Sequence, residues 1–318
     1  MPSSTEPNVT PTVPDALPHN WVDRLAPPVT RPYLRLARFD RPIGAWLLLF
    51  PCWWSQALAE HASGQRWPSL WFALLFLVGA FVMRGAGCTY NDIVDRDYDA
   101  GVARTRNRPI PSGQVTVAEA KVFLVALCLL GLLVLLQFNR PTILLGAASL
   151  ALIAIYPFMK RWTYWPQVIL GLTFKWGALV GWCAVRGSLE APAVLLYAGC
   201  VLWTIGYDTI YAHQDKEDDL AMGLKSTAIR FGTQTKTWVG CFYAGALGLW
   251  AAAFLMAGVR PGLLPVAGLG LAAALLGWQV WSLDAANPEN CLQRFKANKW
   301  VGWALLAALV ADMAARGA

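Results

Sequence analysis

Residues 69–90 read SLWFALLFLVGAFVMRGAGCTY, and the nine that follow, Asn91 to Asp99, read NDIVDRDYD. The first stretch is as long as the roughly 20 apolar residues needed to cross a bilayer core. The second is polar and acidic. In lipid only helices and closed barrels satisfy every backbone group. The apolar run is about twice the ~10 residues of a barrel strand and shows no period-2 alternation. It is therefore read as a transmembrane helix that leaves the membrane through an acidic segment. Similar apolar runs occupy about 43–60, 118–136, 141–158, 165–185, 192–212, 237–257, 262–283 and 299–315. The expected fold class is all-α: a polytopic membrane protein with a bundle of nine transmembrane helices.

Composition agrees. Charged residues make up 14% of the chain and hydrophobic ones 57%, against about 25% charged in a soluble domain. Mean hydropathy is +0.43. The seventeen Trp suit a chain with many membrane–water boundaries, where amphipathic rings settle. Residues 1–30 are expected to be a disordered tail. Their first twenty hold five Pro and no Lys or Arg, which fits neither a secretory signal nor a transit peptide. Residues 31–318 are expected to form the membrane-embedded domain. The seven Cys lack C-x-x-C or metal-ligand spacing and are read as small hydrophobes.

The net charge of +7 could suggest nucleic acid, but the positions of the charges give another reason. Of 26 Lys and Arg, only Arg66, Arg140, Arg186, Arg260 and Arg316 fall on one side of the expected membrane, and Lys175 lies inside the fifth run. The rest share the other side. By the positive-inside rule that side is cytoplasmic and includes the N-terminus, and nucleic acid is not needed to explain the basicity. The expected location is a bacterial cell inner membrane.

The two longest loops follow the second and sixth runs and open on the same side. At ~100° per residue, Asn91, Asp95 and Asp99 step by only ~40° each, and Asp92 falls within ~20° of Asp99. The sixth run leaves through Tyr207-Asp208 and continues to Asp219. The same count places Asp208, Asp215 and Asp219 within ~40° of one another. Rows of carboxylates repel, and more strongly where water is scarce. A cation relieves this, and magnesium suits it: it takes oxygen ligands, keeps waters, and binds through one or two carboxylates plus phosphates. The bland alternative is a set of solvated loop acids. Arg104, Arg106 and Arg108 follow the first motif, Lys225 the second, and Lys160-Arg161 precedes the fifth run. These could fork or point at diphosphate oxygens, or simply set topology.

These stretches resemble the UbiA-type family of membrane aromatic prenyltransferases over about residues 34–310. The residues that carry the resemblance are Arg38-Phe39-Asp40-Arg41-Pro42-Ile43-Gly44, Asn91-Asp92-x-x-Asp95-x-x-x-Asp99, Tyr156-Pro157-Phe158-Met159-Lys160-Arg161, and Tyr207-Asp208 through Asp219 with Lys225-Ser226-Thr227-Ala228. The resemblance implies a nine-helix bundle around a central cavity, with Asn91, Asp95, Asp99, Asp215 and Asp219 binding magnesium–diphosphate and Arg161 assisting. It further implies a polyprenyl diphosphate donor, 4-hydroxybenzoate as acceptor, and a place in ubiquinone biosynthesis. Arg38, Arg41, Asp92, Arg104, Arg108, Lys160, Asp208, Tyr211 and Lys225 are assigned as further substrate contacts. Lys175 departs from the family pattern, where a small neutral or amide residue is more usual. An intramembrane ammonium is a functional candidate by default, so Lys175 is assigned to the acceptor carboxylate; pairing with an acid or snorkelling is the alternative. A transporter and a CDP-alcohol phosphotransferase are the rival classes. Against them stand acids gathered at one boundary instead of the midplane, and the lack of the phosphotransferase's Gly-spaced motif.

Overall fold

Apolar runs of this length, with no alternation, leave the backbone only the helix. The computed structural model describes residues 20–102 and 104–316, and no strand occurs among them. In chain order the helices are α1 (Trp21–Leu25), α2 (Arg31–Leu36), α3 (Ile43–Ala62), α4 (Leu70–Gly101), α5 (Val117–Leu135), α6 (Arg140–Ile155), α7 (Met159–Trp162) and α8 (Pro166–Phe174). Then come α9 (Gly177–Arg186), α10 (Ala191–Ala212), α11 (Lys216–Ala221), α12 (Thr227–Phe231), α13 (Thr235–Met256), α14 (Leu263–Trp281) and α15 (Pro288–Ala315).

The all-α, polytopic class holds, but the count of nine spans is corrected. Seven stretches are long and apolar enough to cross a membrane: Leu70–Gly101, Val117–Leu135, Arg140–Trp162, Pro166–Arg186, Ala191–Ala221, Thr227–Met256 and Leu263–Trp281. The other two expected spans, in α3 and α15, do form helices. They fall short in apolarity because α3 carries Ser55, Gln56, Glu60 and His61, and α15 carries Arg294, Lys296, Asn298 and Lys299. In α3 those polar side chains are buried in protein, and a helix enclosed by protein has no need of a lipid-like surface.

The described chain divides into two compact units, one of residues up to Pro42 together with Gly85–Leu127, the other of Ile43–Arg84 with Cys128–Ala318. Helix α4 runs unbroken through the division. In the first unit, Leu36, Ile93, Ile110, Val115 and Ala120 form the core. Residues 1–19 of the expected tail lie outside the described residues. From Asn20 on, the chain has defined structure. Asn20 caps α1 by accepting from Asp23 N at 3.1 Å, and Asp23 pairs with Arg35 at 2.7 Å. Burial alone would raise the Asp23 carboxyl, but hydrogen bonds from Arg35 and Asn20 hold it below its ordinary value.

In the second unit the centre is aromatic. Trp54, Trp203 and Trp250 lie 5.3 to 5.6 Å apart, centroid to centroid, and Trp54 Nε1 donates to Gly302 O at 3.0 Å. Apolar burial does not hold helices together in lipid, so close packing and cross-helix hydrogen bonds must. The seam between α3 and α9 shows both. Ser55 Oγ donates to Ala178 O, and Gly177 and Gly181 let α9 lie against Cys52 and Ser55.

A side chain at Gly181 would drive into Cys52 O and the Ser55 Cβ. Gly181→Val is expected to destabilise the fold by about 1–3 kcal/mol, the usual cost of overpacking, read as a lower unfolding midpoint in detergent. Gly248→Ala on α13, where nothing lies within 4 Å of the added carbon, is expected to leave the midpoint unchanged or raise it slightly, since Ala favours a helix over Gly.

Candidate functional site

Helix α4 does not stop where its apolar run ends but continues to Gly101. Asn91, Asp95 and Asp99 therefore stand one turn apart along one face, as their spacing predicts. Asn91 Nδ2 donates to Asp95 Oδ2 at 3.0 Å, which sets an amide and a carboxylate side by side. Asp97 points elsewhere. It is exposed and pairs with the exposed Arg96 at 3.4 Å.

Asp92, assigned from sequence to substrate, has another occupation. It is 1% exposed, and Arg38 Nη2 forks onto its two oxygens at 2.7 and 2.8 Å. Arg38 Nη1 donates to Arg35 O and Leu36 O. Arg38 is the only non-glycine with positive φ (62°) among the described residues, a conformation that costs of order 1 kcal/mol. The bidentate charge pair offsets that strain. Arg108 Nη1 bridges Asp92 Oδ1 at 3.1 Å and Asp99 Oδ2 at 2.7 Å. Arg38 and Arg108 thus neutralise Asp92 inside the unit, and Arg108 engages Asp99 as well. Arg41 lies 3.6 Å from Asp40, both buried. Arg104 is half-buried in the loop that follows.

In the second unit the sixth run behaves differently. Helix α10 ends at Ala212, His213–Asp215 form a single 3₁₀ turn, and α11 begins at Lys216. A continuous 100° count from Asp208 to Asp219 therefore does not apply. That corrects the expected common face: Asp208 belongs to α10, Asp215 to the turn and Asp219 to α11. The turn is anchored from behind by His213, whose Nε2 lies 3.0 Å from Thr235 Oγ1. Thr209 and Thr227 share a 2.6 Å hydrogen bond.

The basic partners on this unit do come together. Lys225 N donates to Lys160 O at 2.8 Å and Lys225 Nζ to Trp162 O at 3.3 Å. Arg161 lies over the Phe158 ring at 5.5 Å. Ser226 caps α12 by accepting from Ile229 N, and Thr227 N donates to Gln167 Oε1 at 3.1 Å, so the Lys-Ser-Thr stretch is held rigidly. Tyr211 packs on Phe295 at 4.6 Å.

Lys175 is fully buried, and its Nζ donates to Leu47 O at 2.6 Å, a backbone acceptor in place of the expected carboxylate. The cation that sequence reasoning missed is Arg84, counted there only as a loop charge. Its guanidinium lies 5.3 Å from the Phe174 ring centroid and close to Asp208, which also meets Gln167. Gly44 leaves room for it, since a Cβ there would sit 2.5 Å from Arg84 Nε. That Nε is buried without a hydrogen-bond partner among the described residues. The signal was available: an arginine inside an apolar run is as unusual as a lysine.

No three His, Cys, Asp or Glu side chains cluster tightly enough to enclose a metal by themselves among the described residues. Magnesium needs no such cage, because it binds through one or two carboxylates with waters and phosphate completing its shell. The Asn91–Asp95 oxygen pair fits that requirement.

A match to the UbiA prenyltransferase family covers residues 48–306. The chain is 51% identical over 284 residues to the mitochondrial 4-hydroxybenzoate polyprenyltransferase of Aedes aegypti, covering 89% of this chain and 63% of that protein. It therefore spans less than two thirds of that relative's length. It is 49% identical over 280 residues to the human protein of the same name, covering 87% of this chain and 74% of that one. Among solved structures, the apo UbiA homolog from Aeropyrum pernix K1 superposes with a TM-score of 0.70 at 26% identity, over 84% of this chain and 98% of that one. A UbiA homolog from Archaeoglobus fulgidus bound to GPP and Mg2+ superposes at 0.67 with 21% identity, over 89% and 99%. These relatives in insects and human are mitochondrial proteins. That finding overturns the expected bacterial cell inner membrane and leaves the multi-pass membrane character standing.

Arg108→Ala removes a shared partner of two buried carboxylates and is expected to cost about 3 kcal/mol or more, read as loss of folded protein after detergent extraction. Asp97→Ala is expected to leave extraction yield and unfolding midpoint unchanged.

Proposed function

The chain belongs to the UbiA prenyltransferase family, and from that membership we propose that it is a magnesium-dependent 4-hydroxybenzoate polyprenyltransferase acting in ubiquinone biosynthesis. In this reading the allylic C–O bond of a polyprenyl diphosphate breaks. A C–C bond forms at the ring carbon ortho to the acceptor hydroxyl, diphosphate departs, and the ring proton is lost. The observation that carries the reading is the oxygen face at the exit of α4, with Asn91 held against Asp95.

Asn91, Asp95 and Asp99 would hold magnesium on the first unit, and Asp215 and Asp219 on the second. When bound, the metal neutralises charge on the departing diphosphate. Arg161, Lys160 and Lys225 supply donors for the diphosphate oxygens. Arg104, on the first unit, does the same from its loop. The charge these side chains meet grows as the C–O bond breaks, so they favour the transition state over the bound substrate. The apolar bundle keeps water away from the allylic cation, and the prenyl tail needs only lipid or apolar protein around it.

Arg84 takes the role expected of Lys175. A half-buried guanidinium beside an aromatic ring, its buried Nε unused, suits the carboxylate of 4-hydroxybenzoate, and Phe174 offers a face for the ring. Asp208, itself hydrogen-bonded by Gln167, supplies a nearby acidic group for the guanidinium.

Purified chain in lipid nanodiscs, given 4-hydroxybenzoate and a prenyl diphosphate, is expected to form prenylated product with magnesium, none after chelation, and less with calcium at equal concentration. Asp95→Ala is expected to lower turnover by at least ~10²-fold, as for a lost group that stabilises developing charge. Arg84→Met is expected to raise the acceptor KM by about 10-fold or more, the value of a hydrogen bond to a charged group, with the prenyl diphosphate KM little changed. Product formed at full rate after exhaustive chelation would refute the proposed chemistry.

A further inference from the structure

Pro51 stands in the middle of α3. Proline has no N–H for the carbonyl four residues earlier, and its ring pushes that carbonyl outward. Here the carbonyl is Leu47 O. Within a membrane no water can take up an abandoned acceptor, so a neighbouring helix must supply a donor. Lys175 Nζ reaches Leu47 O at 2.6 Å. We infer that Lys175 is the donor Pro51 lacks: the two residues form a matched pair that closes the gap in the α3 hydrogen-bond ladder and makes Lys175 a positioning residue.

The surroundings of Lys175 support this. Its Nζ lies 4.4 Å from the Trp203 ring centroid, 5.1 Å from Phe174 and 5.2 Å from Tyr207. Ring faces of this kind stabilise a desolvated ammonium and leave no path for a substrate anion. Trp203 is itself fixed, since its Nε1 donates to Asn298 Oδ1 at 2.7 Å, and Asn298 and Tyr243 both donate to Gln279 Oε1. The amino group therefore joins the proline position of α3 to the face of α10 that carries Trp203 and Tyr207.

Lys175 also lies at the break between α8 and α9, and there the same device appears again. Trp176 N bonds Thr173 O at 3.4 Å and so abandons Leu172 O. Tyr197 Oη, from α10, donates to Leu172 O at 2.7 Å. Two interrupted helices each leave a carbonyl without its backbone partner, and each carbonyl receives a side chain from a neighbouring element.

The test is a double-variant cycle on full-length protein, reading the unfolding midpoint in detergent and steady-state kinetics. Lys175→Met alone is expected to lower the midpoint by about 5 °C or more and to lower kcat while leaving the acceptor KM within about twofold. Pro51→Ala alone restores an N–H to Leu47 O but leaves the buried amine without its acceptor, so it too is expected to lower the midpoint. Together the changes are expected to recover most of the loss, because the N–H restored at position 51 closes the helix and no amine is left over. If Lys175→Met yields no folded protein, Pro51→Ala against the double variant still decides. A double variant no more stable than Pro51→Ala, or losses that simply add, would overturn the pairing. So would an acceptor KM raised tenfold by Lys175→Met. The midpoint arm is independent of the substrate proposed above, so failure of that assignment would not be mistaken for failure of this one.

Discussion

Inside a bilayer a backbone carbonyl or amide has no water to turn to, and this constraint shapes the whole structure. Unbroken helices meet it automatically. Interrupted ones meet it only if another element brings a donor, as Lys175 does for Leu47 O and Tyr197 for Leu172 O. Polar side chains in the bundle interior are therefore structural parts of the membrane fold. Glu60 accepts from Ser69 N at the start of α4, and Gln56 donates to Ser69 O at 2.9 Å. The same residues make α3 too polar to count as a lipid-facing span. Polar composition, not chain length, separates it from the seven.

The acidic exit of α4 obeys the electrostatic version of that rule. A carboxylate as buried as Asp92 is tolerable only when paired and hydrogen-bonded. Arg38 and Arg108 meet both conditions, with Arg38 held in a strained backbone to do so. The result is a fixed helix exit on which Asn91 donates to the buried Asp95 one turn along. Preorganised groups of this sort are what transition-state stabilisation requires. The buried pairs orient the face on which the proposed ligand residues stand.

Much of this was legible in the sequence. The 3.6-residue period of α4 continued past its apolar run, so the shared face of Asn91, Asp95 and Asp99 and the opposite direction of Asp97 could be read by counting. The same count failed on α10 because nothing in Ala212-His213-Gln214-Asp215 announces a 3₁₀ turn; His213 is drawn into a tertiary bond with Thr235 that no local pattern encodes. Lys175 was noticed for the right reason and given the wrong partner. Its acceptor lies 128 positions away in α3, and only the fold reveals that Pro51 had left it open. Arg84 is legible as an arginine inside the apolar run 69–90, but its place beside Phe174 and Asp208 depends on the fold.

The central claim is that the Asn91–Asp95 face is where metal and diphosphate meet the protein. A structure of the purified chain with Mn2+ and a non-reactive prenyl thiodiphosphate, with the metal located by its anomalous scattering, tests it most directly. The account predicts a manganese peak within coordination distance of Asn91 Oδ1 and the Asp95 carboxylate, joined to the diphosphate oxygens. A bound thiodiphosphate whose metal lies away from both residues, or that binds with no metal at all, would contradict it.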